Sequence, residues 1–194
     1  MRQHRVLAAL FICLVAGSSF AVASGATRAA VKRDHLTPLE ADQVREAQIL
    51  DKRIEVFIKA AERRLLVLTD PNAANIKQTQ KDLEKWGELP KGTRTELLTD
   101  LARILEEAIT NIDDVAARDA ENRLLPKALR KLAAASTRFA AQLTPMREQA
   151  KDEAERDVLE QALEHIQSIL EAANKLPPDV QEKDKGKKSE KSKS

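Results

Sequence analysis

One cysteine, one tryptophan, no tyrosine and five glycines occur in this chain of 194 residues. The cysteine, Cys13, lies in an apolar run near the start. Everything after it therefore lacks a thiol for a disulfide, a thiolate metal site, a nucleophile or a C-x-x-C-H haem attachment. Aromatics are 3%, so a core must be built from Leu, Ile, Val and Ala, and no interleaved aromatics offer a stacking platform for bases. Only Gly87 and Gly92 fall in the part expected to fold. That leaves no glycine-rich loop to cradle phosphate, and no glycine elbow for Ser136 or Ser168, the serines of that part.

Histidine is scarce too. Beyond the N-terminal run there are His35 and His165. Carboxylate-bridged di-metal bundles use paired Glu-x-x-His motifs, but Ala162 stands three residues before His165. Glu164-His165 does not extend to H-E-x-x-H either. His165, beside Ile166, reads as a boundary position, and His35 as part of a flexible stretch leading into the first helix. One-face carboxylate pairs such as Glu106 with Asp113 read as a solvated face. The expectation is a protein that is not an enzyme and holds no cofactor or metal.

What is present begins with export. Arg2, His4 and Arg5 precede the run VLAALFICLVAG, and Ala21-Val22-Ala23 forms an A-x-A cleavage site. Residues 1–23 are expected to be a signal peptide, with an alternative cut after Gly25. Residues 6–27 carry no charge, so the competing reading is an uncleaved N-terminal membrane anchor. The expected location is therefore periplasmic or secreted.

Charged residues are 33% of the chain, 33 basic and 31 acidic. Without Arg2 and Arg5 the two signs balance. The balance hides a split, because 183–194 (KDKGKKSEKSKS) holds six Lys against Asp184 and Glu190. This Lys/Ser-rich segment, from 177 on, has too little apolar surface to fold and is expected to be disordered.

Between these ends the pattern is helical. Residues 37–69 read as one long helix: Thr37 caps it, Pro38 takes the first position, and Glu40 completes a capping box. Its stripe runs Ala47, Leu50, Ile54, Phe57, Ala61, Leu65 and Leu68. A short connector helix is expected over about 74–86, closed by Gly87, with Trp86 as a packing anchor. Thr93 and Glu96 open a second long helix with an acidic outer face. A third starts at Pro126, its seam Leu125, Leu129, Leu132, Ser136, Phe139 and Leu143 stepping by four and three as coiled-coil seams do. Residues 145–175 hold a fourth helix or a continuation of the third.

From Asn122 to Arg147 there is no acidic residue. Lys127, Arg130, Lys131 and Arg138 are the candidate interaction residues of this stretch, and Lys185, Lys187, Lys188, Lys191 and Lys193 those of the tail. The basic helix lies between acidic ones in sequence, so antiparallel packing against them would pair the charges. Each such pair contributes only ~0–1 kcal/mol but helps to select the neighbour.

The tripeptide Leu-Thr-Pro occurs at 36–38 and at 143–145. Local physics accounts for both as helix starts, with Thr as cap and Pro in the first turn. In export, size, helicity and charge the chain also resembles a family of periplasmic stress chaperones that carry paired L-T-x-x-Q motifs. Glu40 and Arg147 stand where that motif has Gln. The resemblance implies a client-binding holdase.

The fold expected is all-α: an elongated bundle of about four long amphipathic helices plus a connector helix, one domain over 36–176. The function expected is that of an exported, non-enzymatic protein of the cell envelope. Its partner would be another protein or an anionic envelope surface such as lipid headgroups, not nucleic acid, with homo-oligomers open through the 125–143 seam. The holdase is the alternative, and a metal-dependent or hydrolytic enzyme a distant third.

Overall fold

Local caps set most helix starts. A computed structural model describes residues 33–73 and 76–177. The expected signal peptide and the lysine-rich tail fall on 1–32 and 178–194, outside the described residues. Thr37 begins α1 (Pro38–Glu46) through a complete capping box, and Thr93 begins α4 (Arg94–Arg118) in the same way. In each, the Thr hydroxyl accepts from the third helical amide while the Glu carboxylate accepts from the cap amide, satisfying two otherwise orphaned donors. The remaining helices are α2 (Leu50–Thr69), α3 (Gln80–Trp86), α5 (Leu124–Leu143) and α6 (Glu153–Asn174). The described residues contain no strand, and no helix among them is long and apolar enough to cross a membrane.

The expected helix over 37–69 is two helices. The break at Ala47–Ile49 contains no Gly or Pro, so its cause is tertiary. Glu40 lies 2.9 Å from Arg63 and 2.5 Å from Arg64. On one continuous helix those residues would be roughly 35 Å apart at 1.5 Å per residue. Folding α1 back onto α2 brings them together, and Arg53 donates to the Ala47 carbonyl at 2.9 Å to hold the corner.

The second Leu-Thr-Pro also departs from expectation. Leu143 ends α5, and Thr144–Gln149 is a 3-10 segment. Thr144 does not cap; its hydroxyl donates back to the Ala140 carbonyl at 2.7 Å. The cap of α6 is Asp152, which accepts from Glu155 N at 2.8 Å. Residues 145–175 are thus a separate helix with a later start. Pro126 sits in the third position of α5, which begins two residues earlier than the sequence suggests.

α2, α4, α5 and α6 form the bundle. α2 and α6 each pack against both α4 and α5, while α4 and α5 touch lightly across the middle. The core is aliphatic: Ile54, Leu98, Leu101, Ile104, Leu105, Leu132, Leu143 and Leu159 are each at most 1% exposed, with Phe57 and Phe139 the buried rings. Trp86 is an anchor at the end of α3, with Lys85 Nζ 5.2 Å from its ring centre. Gly87 follows at φ 70°, a left-handed conformation that closes α3 where Leu39 approaches closely.

Candidate functional site

Three basic residues of α5 meet acids, but on α2 rather than on α4 or α6. Lys127 Nζ is 2.8 Å from Asp51, Lys131 is bonded to Glu55, and Arg138 Nη2 is 3.0 Å from Glu62. The three pairs share one sequence offset, 76 residues. A constant offset means that α2 and α5 run parallel, which replaces the antiparallel pairing expected from sequence order. Asp51, Glu55 and Glu62 were legible partners, since they repeat the four-then-seven spacing of Lys127, Lys131 and Arg138. Lys131 also reaches Asp51, at 3.0 Å.

Bonds from Lys127 and then Lys131 hold the Asp51 carboxyl down at about 2. Glu55 is lowered chiefly by Lys131, and Lys131 is raised chiefly by Glu55. Asp51 is barely exposed, yet its cover is two lysine side chains that are themselves partly in solvent. These are surface pairs in strength. Arg130 Nη2 donates to the Pro177 carbonyl at 2.6 Å, tying the chain after α6 onto α5. Lys185, Lys187, Lys188, Lys191 and Lys193 lie outside the described residues.

Next to Glu62, in the C-terminal half of α2, a second group of charges is buried. Glu40 is fully buried between Arg63 and Arg64, each at most 4% exposed. Arg64 also donates to the Ala60 carbonyl at 3.1 Å and to the His35 carbonyl at 2.6 Å, and Arg63 to the carbonyls of Gly87 and Glu88. Asp100 on α4 takes Arg33 Nη2 at 2.7 Å and lies 4.0 Å from Arg64 Nε. Burial pushes the Asp100 carboxyl up and the Arg63 guanidinium down, because each charged form loses hydration. His35, expected in a flexible lead-in, is docked instead: its Nε2 is 2.6 Å from Glu107 Oε2. The sequence signal for this group was the pair Arg63-Arg64 beside an apolar stripe.

The seam of α5 is buried only in part. Leu132, Ser136, Phe139 and Leu143 are covered by neighbours, whereas Leu125 and Leu129 are half-buried. They open onto a groove of about 460 Å³ between the C-terminal turns of α4, the start of α5 and the end of α6. Ile109, Ile112, Leu132 and Ile169 form its floor, and Asp113, Glu121 and Arg123 stand among its lining side chains. None of these three charges has an ion pair or side-chain hydrogen bond within the described structure.

The chemistry-bearing residues are dispersed. Ser136 is fully buried inside the seam, and its Oγ has no hydrogen-bond partner. His165 is half-buried at the core boundary, with Nε2 enclosed and unpartnered. Among the described residues no three His, Cys, Asp or Glu side chains converge as a metal site would require. Compared with known proteins, the chain matches no family model, no curated protein and no solved structure.

Proposed function

We propose that this chain is an exported, non-enzymatic helical protein of the cell envelope that works through surface and protein interactions, with the lysines of 183–194 as its attachment to anionic surfaces. The observation that carries this reading is the pairing of the α5 cations. Lys127, Lys131 and Arg138 are engaged by Asp51, Glu55 and Glu62 inside the bundle. Those carboxylates offset the charge of the α5 cations, whereas the tail keeps an excess of four positive charges, so attraction falls mainly to the tail. Cleavage after Ala23 or Gly25 would deliver the protein without its apolar N-terminal run.

The test is co-sedimentation with anionic vesicles, comparing the full chain with one ending at Pro177. Binding should fall with the tail removed, and should fall in the full chain as salt rises, because exposed charges are screened over ~8–10 Å near physiological ionic strength. Undiminished binding by the shortened chain would transfer the attachment to the bundle and end the tail reading.

The groove favours a second reading, the client-binding holdase. Half-buried Leu125 and Leu129 offer apolar surface beyond what the bundle uses. The same two proteins, assayed for suppression of aggregation of an unfolded client, separate the readings. Strong suppression by the shortened chain supports the holdase, and none by either chain removes it.

A further inference from the structure

The groove between α4, α5 and α6 combines an apolar floor with a mouth of both charge signs. Its volume, about 460 Å³, lies in the ~300–1,000 Å³ range of small-molecule sites, which are mostly apolar with a few orienting polar groups. The floor runs along α5 from Leu125 to Leu132, roughly 10 Å at 1.5 Å per residue. That suits a single alkyl chain better than a folded partner. At the mouth, Arg123 supplies a cation, and Asp113 and Glu121 supply anions. A purely anionic head would face two carboxylates, and a purely cationic head would face the guanidinium. A head carrying both signs meets a counter-charge for each.

We infer that this groove binds one single-chain zwitterionic amphiphile, its alkyl chain on Ile109, Ile112, Leu125 and Leu129, its anionic group toward Arg123 and its ammonium toward Asp113 and Glu121. This site is independent of the lysine tail, which acts on surfaces rather than on dissolved monomers.

The experiment uses the full mature chain and three ten-carbon probes kept monomeric: decylphosphocholine, decanoate and decyltrimethylammonium. Isothermal titration should give one site per chain, with decylphosphocholine bound about three- to five-fold more tightly than either singly charged probe, the factor that one exposed ion pair supplies. Arg123→Gln should erase its advantage over decyltrimethylammonium. Leu129→Gln should weaken all three probes by about ten-fold, since it removes apolar floor. Helicity by circular dichroism qualifies that variant; if it fails to fold, Leu125→Gln at the half-buried end of the floor replaces it with the same expected loss. Equal binding of the three heads overturns the inference, as does unchanged binding by the folded floor variant. So does no uptake of any probe, the result if a second copy or residues 178–194 fill the groove.

Discussion

Glu40→Gln tests whether a buried charge, rather than local sequence, bends the chain at Ala47–Ile49. Glutamine at this third helical position can still accept from the Thr37 amide, now 2.9 Å from Glu40 Oε2, so the capping box survives. An amide NH2 replaces the Oε1 that accepts from Arg63 and Arg64, and the charge and both of those bonds are lost. Two guanidiniums, each at most 4% exposed, would then lack their shared counter-ion. Breaking a buried pair from one side costs ~3–5 kcal/mol. Arg64 would keep the carbonyls of Ala60 and His35, with Asp100 still 4.0 Å from its Nε, and Arg63 would keep Gly87 and Glu88. These bonds place the loss near the lower bound, about 3 kcal/mol. For a domain of this size that is roughly a 10 °C fall in melting temperature. Urea unfolding followed by circular dichroism measures the loss directly. Replacing the trio together, Glu40→Leu with Arg63→Met and Arg64→Met, should recover part of that loss, because no charge is then stranded. The Thr37 amide and the carbonyls that these side chains satisfied keep the rest. A Glu40→Gln protein within ~0.5 kcal/mol of the parent, typical of surface changes, would refute the tertiary origin of the bend.

Leu132→Ala should cost ~2–5 kcal/mol in the same urea assay, since Leu132 is 1% exposed in the α5 seam; an unaffected midpoint would mean that the seam faces water. Ser136→Ala should raise stability by about 1 kcal/mol by removing a fully buried hydroxyl without a partner; a loss instead would show that the hydroxyl is satisfied. In acid, Asp51 is held below its unfolded value of 3.8, down at about 2. Its stabilisation is therefore present above pH 3.8 and lost as pH falls toward 2, with Glu55 acting in the same sense. Asp100, raised by burial, acts oppositely: protonation relieves its cost as pH falls. Asp51→Asn should flatten the decline in stability between pH 4 and pH 2 by about 1 kcal/mol or less, as partly exposed pairs allow; parallel declines for variant and parent would remove Asp51 from the acid response.

What the sequence reveals divides by the range of the interaction. Thr37 with Glu40 and Thr93 with Glu96 are legible because a capping box is satisfied within four residues. Gly87 is legible for a similar reason. The same rule would also have found Asp152 with Glu155, had Thr144-Pro145 not drawn the helix start eight residues too early. The bend at Ala47–Ile49 is illegible because the apolar pattern continues across it and its cause joins partners 23 and 24 residues apart, Glu40 with Arg63 and Arg64. The groove is harder still. Its floor joins Ile109 and Ile112 to Leu125, Leu129 and Ile169, each of which reads as ordinary core on its own helix. The cations of α5 were visible as a set, but their sequence neighbours pointed to the wrong partner, since chain order says nothing about which helix of a bundle lies alongside.

The fixed offset of 76 between α2 and α5 has a consequence for how the chain rejects wrong arrangements. Two amphipathic helices whose apolar residues recur every three or four positions can slide past each other by a turn or two and still bury similar surface. Charge breaks that near-degeneracy here. At an offset of 72, Lys127 would meet Glu55, but Lys131 would face Lys59 and Arg138 would face Leu66. At 80, only Lys131 would find an acid, Asp51, while Lys127 and Arg138 would face Ala47 and Ile58. Shifts to 69 or 83 leave one pairing each, Lys131 with Glu62 or Arg138 with Glu55. The native alignment satisfies all three. Pairs that each contribute ~0–1 kcal/mol add little to the depth of the native minimum, but their sum disfavours every slipped competitor.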